Sequence, residues 1–205
     1  MQRSPIEPSL WYATAPAAPP TEPIDGDVTA DVCVIGAGYT GLSTALHLAE
    51  QGVRVVVLEA KEVGFGCSGR NAGHCTPTFH FYSIPTVRKM LGPVYGERLV
   101  ERQTNGANLA FDIIRRYGID CEAVQNGYLM VAHAPSRGKM LEEKQRTYAS
   151  AGKVTHLLDK AETERLTGSP RYYGAWLHPE GGHLNPLAYA RGLARAVISQ
   201  GGTVH

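Results

Sequence analysis

Short apolar runs alternate along this chain with stretches of helical period, and that alternation predicts an α/β fold. Residues 31–35, DVCVI, read as a strand covered on both faces. Leu42, Ala45, Leu46 and Ala49 then recur on one helical stripe, and Gly52 suits a left-handed helix end. Residues 53–58 return to a β-branched run and read as a second strand. This is the strand, turn, helix, strand order of a parallel sheet.

Beyond it the pattern changes. Residues 76–83, TPTFHFYS, predict only a loop or the start of a helix. A helical region begins at Ile84, is interrupted near Gly92-Pro93, and continues over 94–117 with Ala107, Ala110, Phe111, Ile114 and Tyr117 as its buried stripe. Residues 121–125 and 128–133 flank Asn126-Gly127, which predicts a hairpin on a type I′ turn and therefore a second, antiparallel domain. A polar helix over 136–151, a short one over 160–166 and a strand over 172–177 follow. Asn185 then suits an N-cap and Pro186 a first helical residue. Ala190, Leu193, Ala194, Val197 and Ile198 keep helical spacing until Gly201-Gly202, after which 203–205 begin a strand whose sheet partners are expected to be missing. Before the first strand, residues 1–27 are aperiodic, and Pro16, Pro19, Pro20 and Pro23 exclude a regular helix. Trp11 and Tyr12 are expected to pin this arm to the body or to stand at a substrate entrance.

Composition narrows the function. A chain of 205 residues with a formal charge of +1 has no basic footprint for nucleic acid. No apolar run is long enough to span a membrane, and the N-terminal stretch lacks the apolar core of a signal peptide. Cys33, Cys67, Cys75 and Cys121 form no C-x-x-C pair, and Cys33 is expected to act as a small hydrophobe in a buried strand. A reduced, cytoplasmic protein is the simplest expectation.

The chemistry concentrates at the first turn. Gly36, Gly38 and Gly41 hold the G-x-G-x-x-G spacing, with Ala37, Tyr39 and Thr40 between them, where backbone amides can approach a pyrophosphate. Glu59 closes the second strand near the roughly 20-residue offset at which an acid accepts from a ribose hydroxyl pair, and it would repel a 2′-phosphate. Ala60 and Lys61 follow it. A second glycine cluster, Gly64 to Gly73, holds Gly66, Cys67, Ser68, Arg70, Asn71 and Ala72. A nicotinamide site needs no such loop, whereas an extended flavin dinucleotide needs donors further along its length.

These paired motifs, with the leading PSLWYATAP, resemble the D-amino-acid-oxidase-like family of FAD-dependent oxidoreductases, and within it the gamma-glutamylputrescine oxidase branch. The resemblance covers nearly the whole chain. It implies a Rossmann-like FAD-binding domain carrying an inserted, incomplete α+β substrate domain, with FAD as cofactor. Ser68, Arg70 and Asn71 would contact its pyrophosphate, ribityl chain or ring edge. The implied division is an arm over 1–27, the FAD-binding domain over 28–83, the substrate domain over 84–178 and a return to the FAD-binding domain over 179–205. Family members run roughly twice this length, so the chain resembles an N-terminal half. The rest would supply the remaining substrate sheet and the last FAD motif. The implied reaction is oxidation of an amine or amino acid by hydride transfer to the flavin, with the imine then hydrolysed and electrons passed to dioxygen or another acceptor.

Other candidates are weaker. Some relatives attach their flavin through a histidine, but Arg70 holds that position here. His74 reads as a loop histidine before a proton-transfer group, and Cys67, His74 and Cys75 match no standard zinc spacing. His178 and His183 have no acid partner in sequence, and no catalytic residue is assigned. The alternatives are an NAD-linked dehydrogenase and a non-catalytic fragment that binds dinucleotides weakly.

Overall fold

The computed structural model describes residues 9–205; the first eight positions of the expected arm lie outside the described residues. In chain order the elements are α1 (Leu10–Thr14), β1 (Val32–Ile35), α2 (Tyr39–Ala49), β2 (Val55–Leu58), β3 (His74–Cys75), α3 (Ile84–Tyr117), β4 (Tyr128–Val131), α4 (Gly138–Ala149), β5 (His156–Leu158), α5 (Lys160–Thr167), β6 (Ala175–His178), β7 (Gly182–His183), α6 (Pro186–Ser199) and β8 (Thr203–Val204). The chain separates into two compact units. One comprises the residues up to His74, Asp112–Ala123 and His183–His205; the other comprises Cys75–Phe111 and Val124–Gly182. By contacts, residues 75–83 and 179–182 group with the second unit and 112–123 with the first.

The first unit is built on a parallel sheet of order β1-β2-β8. Val32 to Ile35 pair in register with Val55 to Leu58, and Val56 and Val57 pair with Thr203 and Val204. The strand begun at 203 thus has its partner, contrary to the sequence expectation. The ladder even extends past β8, where the His205 amide donates to the Val57 carbonyl at 2.9 Å and the Glu59 amide to the His205 carbonyl at 2.8 Å. Helices α2 and α6 pack against each other and against this sheet. Val34 faces α2, so alternation turns Cys33 and Ile35 to the opposite face. There both are exposed, Ile35 by 79%. The two-sided burial expected of this strand is not met here, and Cys33 is exposed; β1 also stands at one end of the sheet among the described residues.

Asn185 caps α6 as its sequence position predicts, its Oδ1 accepting from the Ala188 amide at 3.0 Å. The same side chain donates from Nδ2 to the Trp11 carbonyl and, at 2.8 Å, to the Thr14 hydroxyl. Arg191 donates to the Pro16 carbonyl at 2.8 Å and Arg195 to that of Ala17, so the arm is strapped along α6. The arm also contains one helical turn that the prolines were expected to forbid. They all follow it, and the Ser9 hydroxyl caps it by accepting from the Tyr12 amide at 3.2 Å.

The second unit has an antiparallel sheet of order β4-β6-β5. Helix α3, which ends in the first unit, is broken at Gly92 (φ 74°, ψ 178°) just before Pro93, and Arg88 pairs with Glu97 across the break at 2.7 Å. The predicted hairpin does not form. Residues 121–125 make no strand, and β4 pairs with β6 instead, Met130 opposite Trp176 and Tyr128 opposite His178. The cause is that the Gly127 amide donates to the Gly181 carbonyl at 2.8 Å, while Gln125 Nε2 donates to Asn108 Oδ1 and the Glu180 carbonyl. Those bonds lay 125–127 alongside the chain leaving β6. Ile84, Val87, Val100, Leu141, Tyr148 and Trp176 form the core beneath the sheet.

His178 is fully buried in this unit, with its ring 5.5 Å from that of Trp176 and 5.7 Å from that of Tyr148. Nδ1 accepts from the Glu180 amide at 3.4 Å, and Nε2 has no partner among the described residues. Burial pushes its pKa down to about 4, against the attraction of Glu180 and with the help of Lys153 and Lys144. The unfolded chain takes up this proton near the ordinary value of 6.5 and the folded chain only near 4. Between those limits the unfolded state binds more protons, so this contribution is intact above pH 6.5 and is lost as pH falls toward 4. Urea unfolding across that window should therefore show a steeper loss of stability in the wild type than in His178→Gln. Parallel curves would contradict the neutral buried ring.

Candidate functional site

The geometry around the first glycine turn follows from local chemistry. Gly36 has φ 103°, a left-handed backbone that L side chains avoid, and this turns the chain from β1 toward α2. A Cβ on Gly41 would overlap the Gly36 carbonyl oxygen and meet Val34 Cγ1 at 3.1 Å, so only glycine lets the helix descend this closely on the strand. The first turn of a helix presents amides without intrahelical partners, and Gly38 at the N-cap has no side chain to take one. That acceptor comes from the second loop. The Ser68 hydroxyl accepts from the Tyr39 amide at 3.0 Å, acting as a cap delivered from a distant part of the chain.

Glu59 reaches the same turn from the end of β2. One carboxylate oxygen accepts from the Ala37 amide at 2.8 Å and the other from the Lys61 amide at 3.0 Å. A carboxylate has about four acceptor sites, so two remain for a ligand. Glu59, Ala60 and Lys61 line a cavity of about 250 Å³ together with Thr21, Pro23, Val204 and His205. The lining from the arm carries no pattern in the sequence that marks it. The one available signal was the strand start at 203–205.

The second loop is shaped by Asn71. Its Nδ2 donates to the carbonyls of Cys67 and Ser68 at 3.2 and 3.1 Å, its Oδ1 accepts from the Gly73 amide at 2.8 Å, and its carbonyl accepts from Trp11 Nε1 at 3.0 Å. Both ends of this side chain are engaged inside the loop, so Asn71 holds the loop's form. Gly66, Cys67, Arg70 and Ala72 are exposed, whereas Gly73 is buried. The Arg70 guanidinium and the Lys61 ammonium both lie over the Phe65 ring, at 4.4 and 4.0 Å from its centroid. Two cations share one aromatic platform there. Thr40 is exposed on the first turn of α2, while the Tyr39 hydroxyl donates to the Pro186 carbonyl at 2.9 Å and so ties α2 to α6.

The sequence-derived site residues are thus gathered in the first unit, around one turn. No cluster able to hold a metal ion occurs among the described residues. Burial also pushes the Cys75 thiol up to about 11, which disfavours the thiolate a metal needs. His74 is exposed on β3.

A parallel sheet, a glycine turn opening a helix and an acid at the end of the next strand define a dinucleotide-binding protein. The model for the FAD dependent oxidoreductase family, DAO, matches residues 31–205. The chain belongs to that family, whose cofactor is FAD. It is 38% identical over 197 residues to gamma-glutamylputrescine oxidoreductase of Escherichia coli (strain K12), covering 96% of this chain and 46% of that protein. Among solved structures it is similar to the L-amino acid deaminase from Proteus myxofaciens, with a TM-score of 0.73 and 22% identity over 94% of this chain and 41% of the other. It is also similar to glycine oxidase from Geobacillus kaustophilus, with a TM-score of 0.66 and 24% identity over 86% and 46% of the two chains. The chain spans about half the length of the curated relatives it matches. The residues present fit FAD: Gly36 and Gly38 add no side chain of their own to the turn, where Ser68 brings a hydroxyl, and the acid at the strand end retains acceptor capacity.

A Cβ on Gly38 would stand 2.9 Å from Ser68 Oγ. Gly38→Ala should therefore destabilise the chain, and it should cost less in a Ser68→Ala background, where that oxygen is gone. Ser68→Ala alone should cost about 0.5–2 kcal/mol through the lost cap. Urea unfolding of the two single variants and the double variant gives the coupling. Strictly additive costs would separate the loop from the turn.

Proposed function

We propose that the whole protein is an FAD-dependent oxidoreductase of amines or amino acids, with a linear amine resembling gamma-glutamylputrescine as its substrate. The observation that carries this reading is the convergence of Glu59 and Ser68 on the amides of one glycine turn, in a chain 38% identical to a gamma-glutamylputrescine oxidoreductase. FAD, when bound, supplies the acceptor for a hydride from the carbon beside an uncharged amine nitrogen, leaving an imine that water hydrolyses; dioxygen or another acceptor then takes the electrons.

This chain's own residues bind and orient. Glu59 takes the ribose hydroxyls with its remaining lone pairs, and Ala60 and Lys61 border that position. The turn from Gly36 to Gly41, through Ala37, Gly38, Tyr39 and Thr40, borders the pyrophosphate; the Gly36, Ala37 and Tyr39 amides are engaged by Leu58, Glu59 and Ser68, so the remaining amides of the turn would donate to it. Ser68 accepts from Tyr39, so its own hydrogen is left to donate toward the same anion. Gly66, Cys67, Asn71, Ala72 and Gly73 carry the second loop past the turn, and Arg70 and Lys61 share the Phe65 ring there. The substrate-facing part belongs to the second unit, in keeping with an inserted substrate domain.

Two outcomes test the proposal on the whole protein. Anaerobic addition of gamma-glutamylputrescine should bleach the flavin absorbance, with alanine and glycine less effective; an unchanged spectrum with all three would overturn the substrate class. Separately, Glu59→Ala should weaken FAD far more than FMN, which lacks the adenosine ribose, as read by equilibrium dialysis of the apoprotein. Equal losses for both flavins would remove Glu59 from the ribose.

A further inference from the structure

The second unit contains a cavity of about 280 Å³ between the 79–84 loop and α4 that belongs to no part of the dinucleotide site. Its walls are mainly apolar: Phe79, Phe81, Ile84, Met130, Met140 and Tyr148. One cation reaches it. Lys144 is half-buried, and its ammonium lies 5.1 Å from the centroid of the Trp176 ring and 5.6 Å from that of Tyr148. It takes part in none of the ion pairs among the described residues. Glu143, the acid that also lines the cavity, is exposed.

The two rings beside this ammonium are themselves held in place. The Tyr148 hydroxyl accepts from the Phe79 amide at 3.0 Å, which anchors the loop wall to α4, and the fully buried Trp176 holds its indole N–H on the Thr155 hydroxyl at 3.0 Å. Ring faces attract a cation but accept no directed hydrogen bond from it as a carboxylate does, so the three N–H donors of Lys144 have capacity that the two rings do not meet. Burial lowers the Lys144 pKa, with no neighbouring carboxylate acting against it.

We infer that this cavity binds a small organic anion with an apolar body, its carboxylate on Lys144 and its chain against the loop and the methionines. The ammonium of Lys144 selects for a monocarboxylate, while Glu143 on the same lining is turned out to solvent and exposed. The apolar walls select for a hydrocarbon chain and against a compact, fully hydrated anion such as inorganic phosphate.

Calorimetric titration of the full chain with hexanoate, and with hexanamide as the uncharged isostere, tests this. Hexanoate should bind at least tenfold more tightly than hexanamide or inorganic phosphate. Lys144→Met should abolish the preference for the acid over the amide, and Lys144→Arg should preserve it. Circular dichroism of each variant establishes that it is folded, and Lys144→Arg keeps the test available should the methionine variant fail to fold. Absence of hexanoate binding, equal binding of acid and amide, or undiminished preference in folded Lys144→Met would each overturn the assignment.

Discussion

The hydrogen bond from the Tyr39 amide to the Ser68 hydroxyl is the constraint on which the first unit turns. A helix that opens on glycine has no side chain at its N-cap, and its first amides must find acceptors elsewhere. Here the acceptor arrives 29 residues later in the chain, and the Glu59 carboxylate serves the neighbouring Ala37 amide from 22 residues later. A neutral hydrogen bond contributes about 1 kcal/mol and one to a charged group about 1.5–3 kcal/mol. Neither bond alone fixes a fold, but together they bring three separate stretches of backbone to one place. The same contact gives Gly38 a structural reason to lack a side chain, independent of any ligand, because its missing Cβ is where Ser68 rests.

That double role explains which parts of the site were legible in the sequence. The glycine spacing and Glu59 stand out because their geometry is local to a strand, a turn and a helix, and Asn185 and Pro186 were legible as a cap for the same reason. The further duty of Asn185, holding the Trp11 carbonyl and the Thr14 hydroxyl, joins positions more than 170 apart and leaves no periodic trace. Asn71 was singled out for a cofactor contact, yet its amide builds the loop. A polar side chain in a glycine-rich loop carries the same letter whether it faces a ligand or its own backbone.

Strand pairing was the least legible part, for a related physical reason. Asn126-Gly127 is a strong local signal for a hairpin, but a turn preference of this kind is outweighed when the flanking backbone finds long-range partners. Gly127 donates to Gly181, and β4 finds β6 some 45 residues on. Strand β5 has only three residues, too short for alternation to declare itself. Strand β1 failed in the other direction. Its β-branched run is what a doubly covered strand looks like, but Cys33 and Ile35 face away from α2 and are exposed.

In the second unit one aromatic cluster meets two basic groups and treats them differently. Tyr148 and Trp176 present ring faces near Lys144, which keeps a cation attracted without full hydration. The His178 ring is T-shaped against both. Its proton is disfavoured first by burial and then by Lys153 and Lys144, with Glu180 opposing. A second charge near Lys144 would add a repulsion that the neutral imidazole avoids, although burial is the larger cause. The positive charge of this cluster therefore rests on the group that lines the cavity, and the histidine at the end of β6 stays neutral chiefly because it is buried, with the nearby ammonium groups adding to the same direction.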